Sequence, residues 1–226
     1  MFKRALLLDP HLVEAYRGLA NAYKHQEDYP NAIATLQEGI RQNPITGSVT
    51  SESGWQGDSR MWLRLEIAWV YEQAGQLQEA ENTLQDCLQL DPFFWQATRT
   101  LARLWLKTGL RAEADVLLAK FFELRKGDKG RWDFNYNLSR MSRDIGAVYE
   151  ESRDYEKAKE YYLKAYGRNY VDPFLYQSLA EAHEKLGERG QALEVLEKLK
   201  VWMQQQKGYE DRLKRLEEQI VQLRSN

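Results

Sequence analysis

Four columns of residues recur along the chain at a fixed interval, and they constrain the fold more than any other feature. Ala20, Ala68, Ala102, Gly146 and Ala180 form one column, separated by 48, 34, 44 and 34 residues. Ala32, Ala80, Ala114, Ala158 and Ala192 form a second with the same four intervals. Tyr23, Tyr71, Trp105, Tyr149 and His183 form a third, large and mostly aromatic. Ala5, Gly39, Cys87, Phe121, Ala165 and Leu199 form a fourth. The underlying period is 34, interrupted by shared insertions of 14 and 10 residues. Within each unit apolar residues fall three and four apart, as in Ala68, Tyr71 and then Leu77, Ala80, Leu84, Leu88, the spacing of two amphipathic helices. Gly75, Gly109 and Gly187 fall between the paired helices, where a residue of left-handed conformation closes a helix. Small residues at the two alanine columns let the paired helices approach closely, and the aromatic column fills the space beyond. One pair cannot bury its apolar face, so the pairs must stack into a solenoid with a groove along one side.

Composition agrees. The 30 Leu and 20 Ala outnumber the β-branched residues, 9 Val, 6 Ile and 7 Thr, which argues for helices and against a sandwich or a βαβ fold. A formal net charge of −2 gives no electrostatic reason to bind nucleic acid. One cysteine cannot make an internal disulfide or a cysteine-based metal site. No apolar run reaches the roughly 18 residues that suggest a membrane span, and MFKRALLLDP has neither the length nor the cleavage site of a signal peptide. Aromatic residues make up 12% of the chain and must fill a core, line a groove, or both.

The period and pattern resemble the tetratricopeptide repeat family. In VEAYRGLANAYKHQEDYPNAIATLQEGIRQNP, from Val13 to Pro44, the residues Leu19, Ala20, Tyr23, Tyr29, Ala32, Ile33 and Pro44 stand where that family places its signature. The resemblance implies an all-α fold, a right-handed α-solenoid of stacked helix-turn-helix repeats. Residues 1–226 then form a single domain. It consists of a trailing half-repeat at 1–10, repeats at 13–44, 61–92, 95–126, 139–172 and 173–206, and a capping helix at 208–224. The third repeat departs from the pattern, with Phe121 in place of a small residue, Arg111 at a usual aromatic position and no closing proline. His183 replaces a tyrosine in the fifth.

FKRALLLDP aligns with the end of a second helix, and Pro10 to Pro44 is again 34 residues, so the register expects a repeat cut at residue 1 of a longer array. Near the other end, Leu213, Leu216, Ile220 and Leu223 form one stripe. That stripe suits a capping helix, with a coiled-coil seam for self-assembly as the alternative. Residues 45–58 are rich in Ser, Gly and Thr and read as a long loop, with Trp55 packed on a neighbouring helix or facing a partner. The second insertion, around KGDKGRWDFNYNLSR, lengthens the first helix of repeat four.

No phosphate loop, dinucleotide fingerprint or HExxH motif is present. The three histidines lie in separate repeats, and His183 falls in a core column, where a packed, hydrogen-bonded imidazole is expected. Cys87 falls in another and should be inert. No catalytic, cofactor-binding or metal-binding residue is assigned, and no enzyme activity is expected.

In the resembled family the first helix of each repeat lines the groove. That implies a partner-binding face of Arg17, Asn21, Trp62, Leu65, Trp69, Arg99, Arg103, Arg140, Arg143 and Gln177, with Glu66, Gln96, Asp144, Phe174 and Glu181 among them. Arginine recurs at the fifth position of three repeats. Arginine forks pair with carboxylates, and Trp and Arg are frequent interface anchors. The expected ligand is a protein or peptide segment, acidic and with an apolar anchor near Trp62 and Trp69. The competing arrangement has Trp62 and Trp69 packed against the 45–58 insertion and the arginines paired with Glu66, Asp144 and other local acids. The clamp that some members use for carboxylate tails is incomplete, because Glu66, Gln96 and Thr100 replace its polar and basic members. The expected function is a non-catalytic interaction scaffold. The alternatives are a recognition or regulatory domain of a larger enzyme and a self-assembly module that forms homo-oligomers through the C-terminal helix. Neither nucleic-acid binding nor membrane insertion is expected. The lack of a signal peptide and of disulfides suits the cytoplasm, although a cut start could have removed a signal.

Overall fold

A computed structural model describes residues 1–43, 48–50, 56–127, 134–166 and 172–225. Among them lie α1 (Phe2–Leu8), α2 (Val13–His25), α3 (Tyr29–Gln42), β1 (Ser48–Thr50), β2 (Gln56–Asp58), α4 (Ser59–Gln73), α5 (Leu77–Leu90) and α6 (Trp95–Thr108). There follow α7 (Arg111–Gly127), α8 (Phe134–Glu151), α9 (Tyr155–Ala165), α10 (Pro173–Lys185), α11 (Arg189–Gln204) and α12 (Glu210–Ser225). Over the stretches read as repeats the helices run in order α2 and α3, α4 and α5, α6 and α7, α8 and α9, and α10 and α11. The second insertion lengthens α8 to 18 residues as expected.

The chain divides into two compact units, Met1–Leu104 and Trp105–Asn226, with the division falling inside α6. In the first, α2 packs on α3, α3 on α4, and α4 on α5. In the second, α8 packs on α9, α9 on α10, α10 on α11, and α11 on α12. The core of the first unit gathers Ala20, Ala32, Leu36, Leu63, Ile67 and Val70, with Tyr23, Tyr29 and Tyr71 closing its edge.

The small columns do what close packing requires. Ala32, Ala114, Ala158 and Ala192 are 0% exposed, and Ala80 is 1%. Gly146, alone in its column without a side chain, faces Tyr162 of α9, whose ring would lie 2.4 Å from an added Cβ. Tyr162 is itself fully buried, and its hydroxyl donates to Glu150. Burial pushes the Glu150 carboxyl above the ordinary range, even with that hydrogen bond favouring its charged form. The bulkier tyrosine is therefore accommodated by the missing methyl group.

Positive φ angles occur at Gly75 (76°), Gly109 (86°) and Gly187 (76°), as the sequence predicts. In repeats one and four Glu27 (57°) and Arg153 (62°) occupy the same turn without the steric freedom of glycine. The sequence reading misses these two. Arg111, at its unusual position, pairs with Asp154, the residue that caps α9. His183 is buried, and its Nδ1 lies 2.6 Å from Glu188 Oε2, the expected packed imidazole. Cys87 is 0% exposed, and burial pushes its thiol up to about 11.

One expectation is corrected. The insertion at 45–58 is not loop throughout: Ser48–Thr50 and Gln56–Asp58 pair as antiparallel strands, Val49 opposite Gly57. Val49 and Thr50 favour extended backbone. Trp55 lies outside the described residues.

Introducing alanine at Gly146 should cost about 1–3 kcal/mol, the usual penalty for overpacking a tight core, measured by urea unfolding. Gly75→Ala should cost about 1 kcal/mol for placing a Cβ at positive φ. Cys87 should react with a soluble thiol reagent at pH 7 only on unfolding; fast labelling of the folded chain would contradict its burial.

Candidate functional site

The candidate residues of the first unit lie on α2, α4 and α6, the leading helices of their repeats. Arg17 of α2 reaches across to α4, where its Nε donates to Glu66 Oε1 at 2.5 Å. The same guanidinium donates through Nη1 to Glu14 at 3.0 Å. Arg103 of α6 reaches α4 from the other side, 3.8 Å from Glu72. Both glutamates are largely covered, with side chains 17% and 18% exposed.

Helical geometry places Trp69 between these two pairs. At 3.6 residues per turn, Glu66 and Glu72 each lie about 60° around α4 from Trp69, on opposite sides. The carboxylates are drawn sideways to α2 and α6, and the indole stands between them, 38% exposed. Asn21 lies one turn beyond Arg17, and Arg99 one turn before Arg103; both are exposed. Trp62, two turns before Trp69, is half-buried and meets Phe94 edge-on, centroids 5.4 Å apart at 83°.

Leu65 is the clearest departure from expectation. It is 0% exposed and belongs to the core, so it is not available to a partner. Burying a leucine side chain gains roughly 2 kcal/mol, and Leu65 lies in the half of α4 that also places Trp62 against Phe94. The open part of this face is thus centred on Trp69.

In the second unit, Arg140 is exposed on α8. Arg143 is held by Asp144 at 2.9 Å and by Asp172 of α10. Asp172 also caps α10, accepting from the Phe174 amide at 3.0 Å. Gln177 of α10 donates to Gln219 of α12 at 2.6 Å, and Gln219 donates on to Glu184 at 3.3 Å. The polar contact at Gln177 is therefore made by α12. The stripe of α12 is buried as that helix packs on α11, with Leu216 and Ile220 each 3% exposed. Phe174, a large apolar side chain at the start of α10, is 66% exposed.

Arg17, Arg103 and Arg143 therefore each hold a local carboxylate, as the arginines do in the competing arrangement set out for the sequence. Glu66 does more than depart from a carboxylate clamp: it occupies the guanidinium that such a clamp would need. Among the described residues, no group of three or more His, Cys, Asp or Glu could hold a metal ion, and no helix is long and apolar enough to cross a membrane.

Models of the tetratricopeptide repeat match residues 1–44, 63–94 and 144–171. The chain carries tetratricopeptide repeats over these residues. It is 28% identical over 193 residues to TPR repeat-containing protein YpiA of Bacillus subtilis (strain 168), a match covering 85% of this chain. It spans 40% of that relative's length. The fold is similar to BtubC (BKLC) from P. vanneervenii, with a TM-score of 0.57 and 16% identity over 97% of this chain and 86% of that one. It is also similar to nearly identical TPR-like repeats from Podosopora anserina, with a TM-score of 0.56 and 19% identity over 88% of this chain and 99% of that one. The architecture is an all-α helical repeat solenoid. Tetratricopeptide repeats mediate protein–protein interaction, and as scaffolds they are in general non-catalytic.

The Arg17–Glu66 pair is half sheltered and joins two helices, so a double-mutant cycle with Arg17→Ala and Glu66→Gln should return a coupling of about 0.5–1 kcal/mol in urea unfolding. The exposed pair Lys198–Glu194, within one helix at 2.8 Å, should return less. Equal coupling in the two cycles would contradict a structural role for Arg17.

Proposed function

We propose that this repeat protein is a non-catalytic interaction scaffold whose face on α2, α4 and α6 receives a partner polypeptide, with Trp69 as its apolar anchor. The observation that carries this reading is a tryptophan left 38% exposed between two interhelical ion pairs. An indole at such a site loses little conformational freedom on binding, and large apolar area gives it the strength of an interface hot spot. Arg17 and Arg103 already hold Glu66 and Glu72, so a carboxylate arriving there would compete with carboxylates in place. The flanking charges orient the partner; the apolar contact supplies most of the affinity. Asn21, exposed on α2, offers polar contacts to the partner's backbone and side chains, and Arg99 is exposed on α6. Trp62, Arg143 and Gln177 serve mainly to hold the fold together, on the contacts they make.

Replacing Trp69 with alanine should weaken capture of the bound partner by about tenfold or more, the loss expected for a tryptophan anchor. The melting temperature should hardly change. Immobilised wild type and variant, exposed to the same cell extract and compared by quantitative mass spectrometry, make the test. An unchanged set of captured proteins at unchanged abundance would sink this reading.

A further inference from the structure

The arginines that the repeat pattern singles out are mostly held by carboxylates; one that it passes over is not. Arg212, in the first turn of α12, has Gly208 and Tyr209 four and three residues before it and Arg215 and Leu216 three and four after it. No acid is therefore placed to pair with it along its own helix. Its guanidinium instead lies 5.6 Å from the ring centroid of Phe174 on α10 and 5.8 Å from that of Tyr209. Tyr209 is braced in turn by Trp202, edge-on at 5.2 Å and 77°. Among the described residues no carboxylate lies within ion-pair distance of Arg212 or of Arg215. The nearby acids are engaged elsewhere. Asp172 holds Arg143 and the amides opening α10, and Glu210 accepts from the Gly208 amide at 3.2 Å.

Two aromatic contacts hold the guanidinium without neutralising it. A cation set against rings loses side-chain freedom in advance of binding, while its five donors stay available. Beside it stands Phe174, an apolar ring 66% exposed at the start of its helix. Arg215, one turn along α12, is also exposed and adds a second positive charge. We propose that Phe174, Arg212 and Arg215 form a docking site for a partner polypeptide segment in which a Glu or Asp side chain neighbours a large apolar one. The carboxylate takes the Arg212 fork, and the apolar neighbour packs on Phe174. The acidic preference that the sequence assigns to a row of groove arginines belongs to this site. It lies in the unit Trp105–Asn226 and shares no residue with the face around Trp69, so it stands without that reading.

The test uses the full chain and a fluorescein-labelled peptide Leu-Glu-Leu-Glu-Leu, with Leu-Gln-Leu-Gln-Leu as its uncharged control, followed by fluorescence anisotropy. The acidic peptide should bind, and Arg212→Ala should weaken it by about tenfold, the scale of one lost charge-assisted contact. Arg212→Lys keeps the charge but loses the fork, and should weaken it several-fold. Phe174→Ala should weaken both peptides, and Trp69→Ala should leave affinity unchanged. Melting curves matching the wild type show that each variant is folded. Equal binding of the two peptides, wild-type affinity in Arg212→Ala, or no binding of the acidic peptide at millimolar concentration would each overturn the proposal. Loss of binding in Trp69→Ala with none in Arg212→Ala would assign the peptide to the other face and overturn it equally.

Discussion

Close approach of paired helices at the alanine columns is the constraint from which the rest follows. A methyl group or less at Ala32, Ala80, Ala114, Ala158 and Ala192 brings the second helix of each pair against its neighbours. Larger side chains then fill the space that remains. Where one member changes, its neighbour compensates: Gly146 gives up its methyl, and the Tyr162 ring takes the volume. Dense packing of this kind tolerates volume exchange between touching positions far better than net gain or loss.

Polar contacts between leading helices form a second layer of organisation. Within the first unit Arg17 joins α2 to α4, and Arg103 joins α6 to α4. Within the second, Arg143 joins α8 to α10, and Gln177 joins α10 to α12. The helix α12 thus makes with α10 the same kind of contact that one repeat makes with the next. Its apolar residues Leu216 and Ile220 are buried as it packs on α11, and most of its exposed residues are polar. Such contacts lie on the same helices to which we ascribe recognition, which is why residue type alone separates the two roles poorly. An arginine at the fifth repeat position reads the same whether it awaits a ligand or holds a glutamate.

The fold was legible because it rests on periodicity. A small residue every 34 positions has one economical explanation, and Gly75, Gly109 and Gly187 mark three turns directly. Glu27 and Arg153 adopt the same conformation without any compositional mark, so those turns could be located only by register. The strands at Ser48–Thr50 and Gln56–Asp58 were missed because three residues carry too little pattern to distinguish a hairpin from a loop. The site was legible only in part. The exposure of Trp69 was legible because its position in the repeat faces outward. Leu65 was misplaced because the same rule ignores local burial, and Arg212 was missed because it lies in a helix that the repeat pattern does not reach. The absence of acids three and four residues from Arg212 was visible in the sequence and is the signal that would have found it.

The central claim is that paired arginines on the leading helices stabilise the fold while exposed Trp69 serves recognition. It is tested most directly by measuring unfolding free energy and partner capture together for Arg17→Ala and Trp69→Ala. The account predicts a crossed result: Arg17→Ala loses stability and keeps its partner, and Trp69→Ala keeps its stability and loses its partner. Partner loss in Arg17→Ala at undiminished stability, with capture intact in Trp69→Ala, would contradict it.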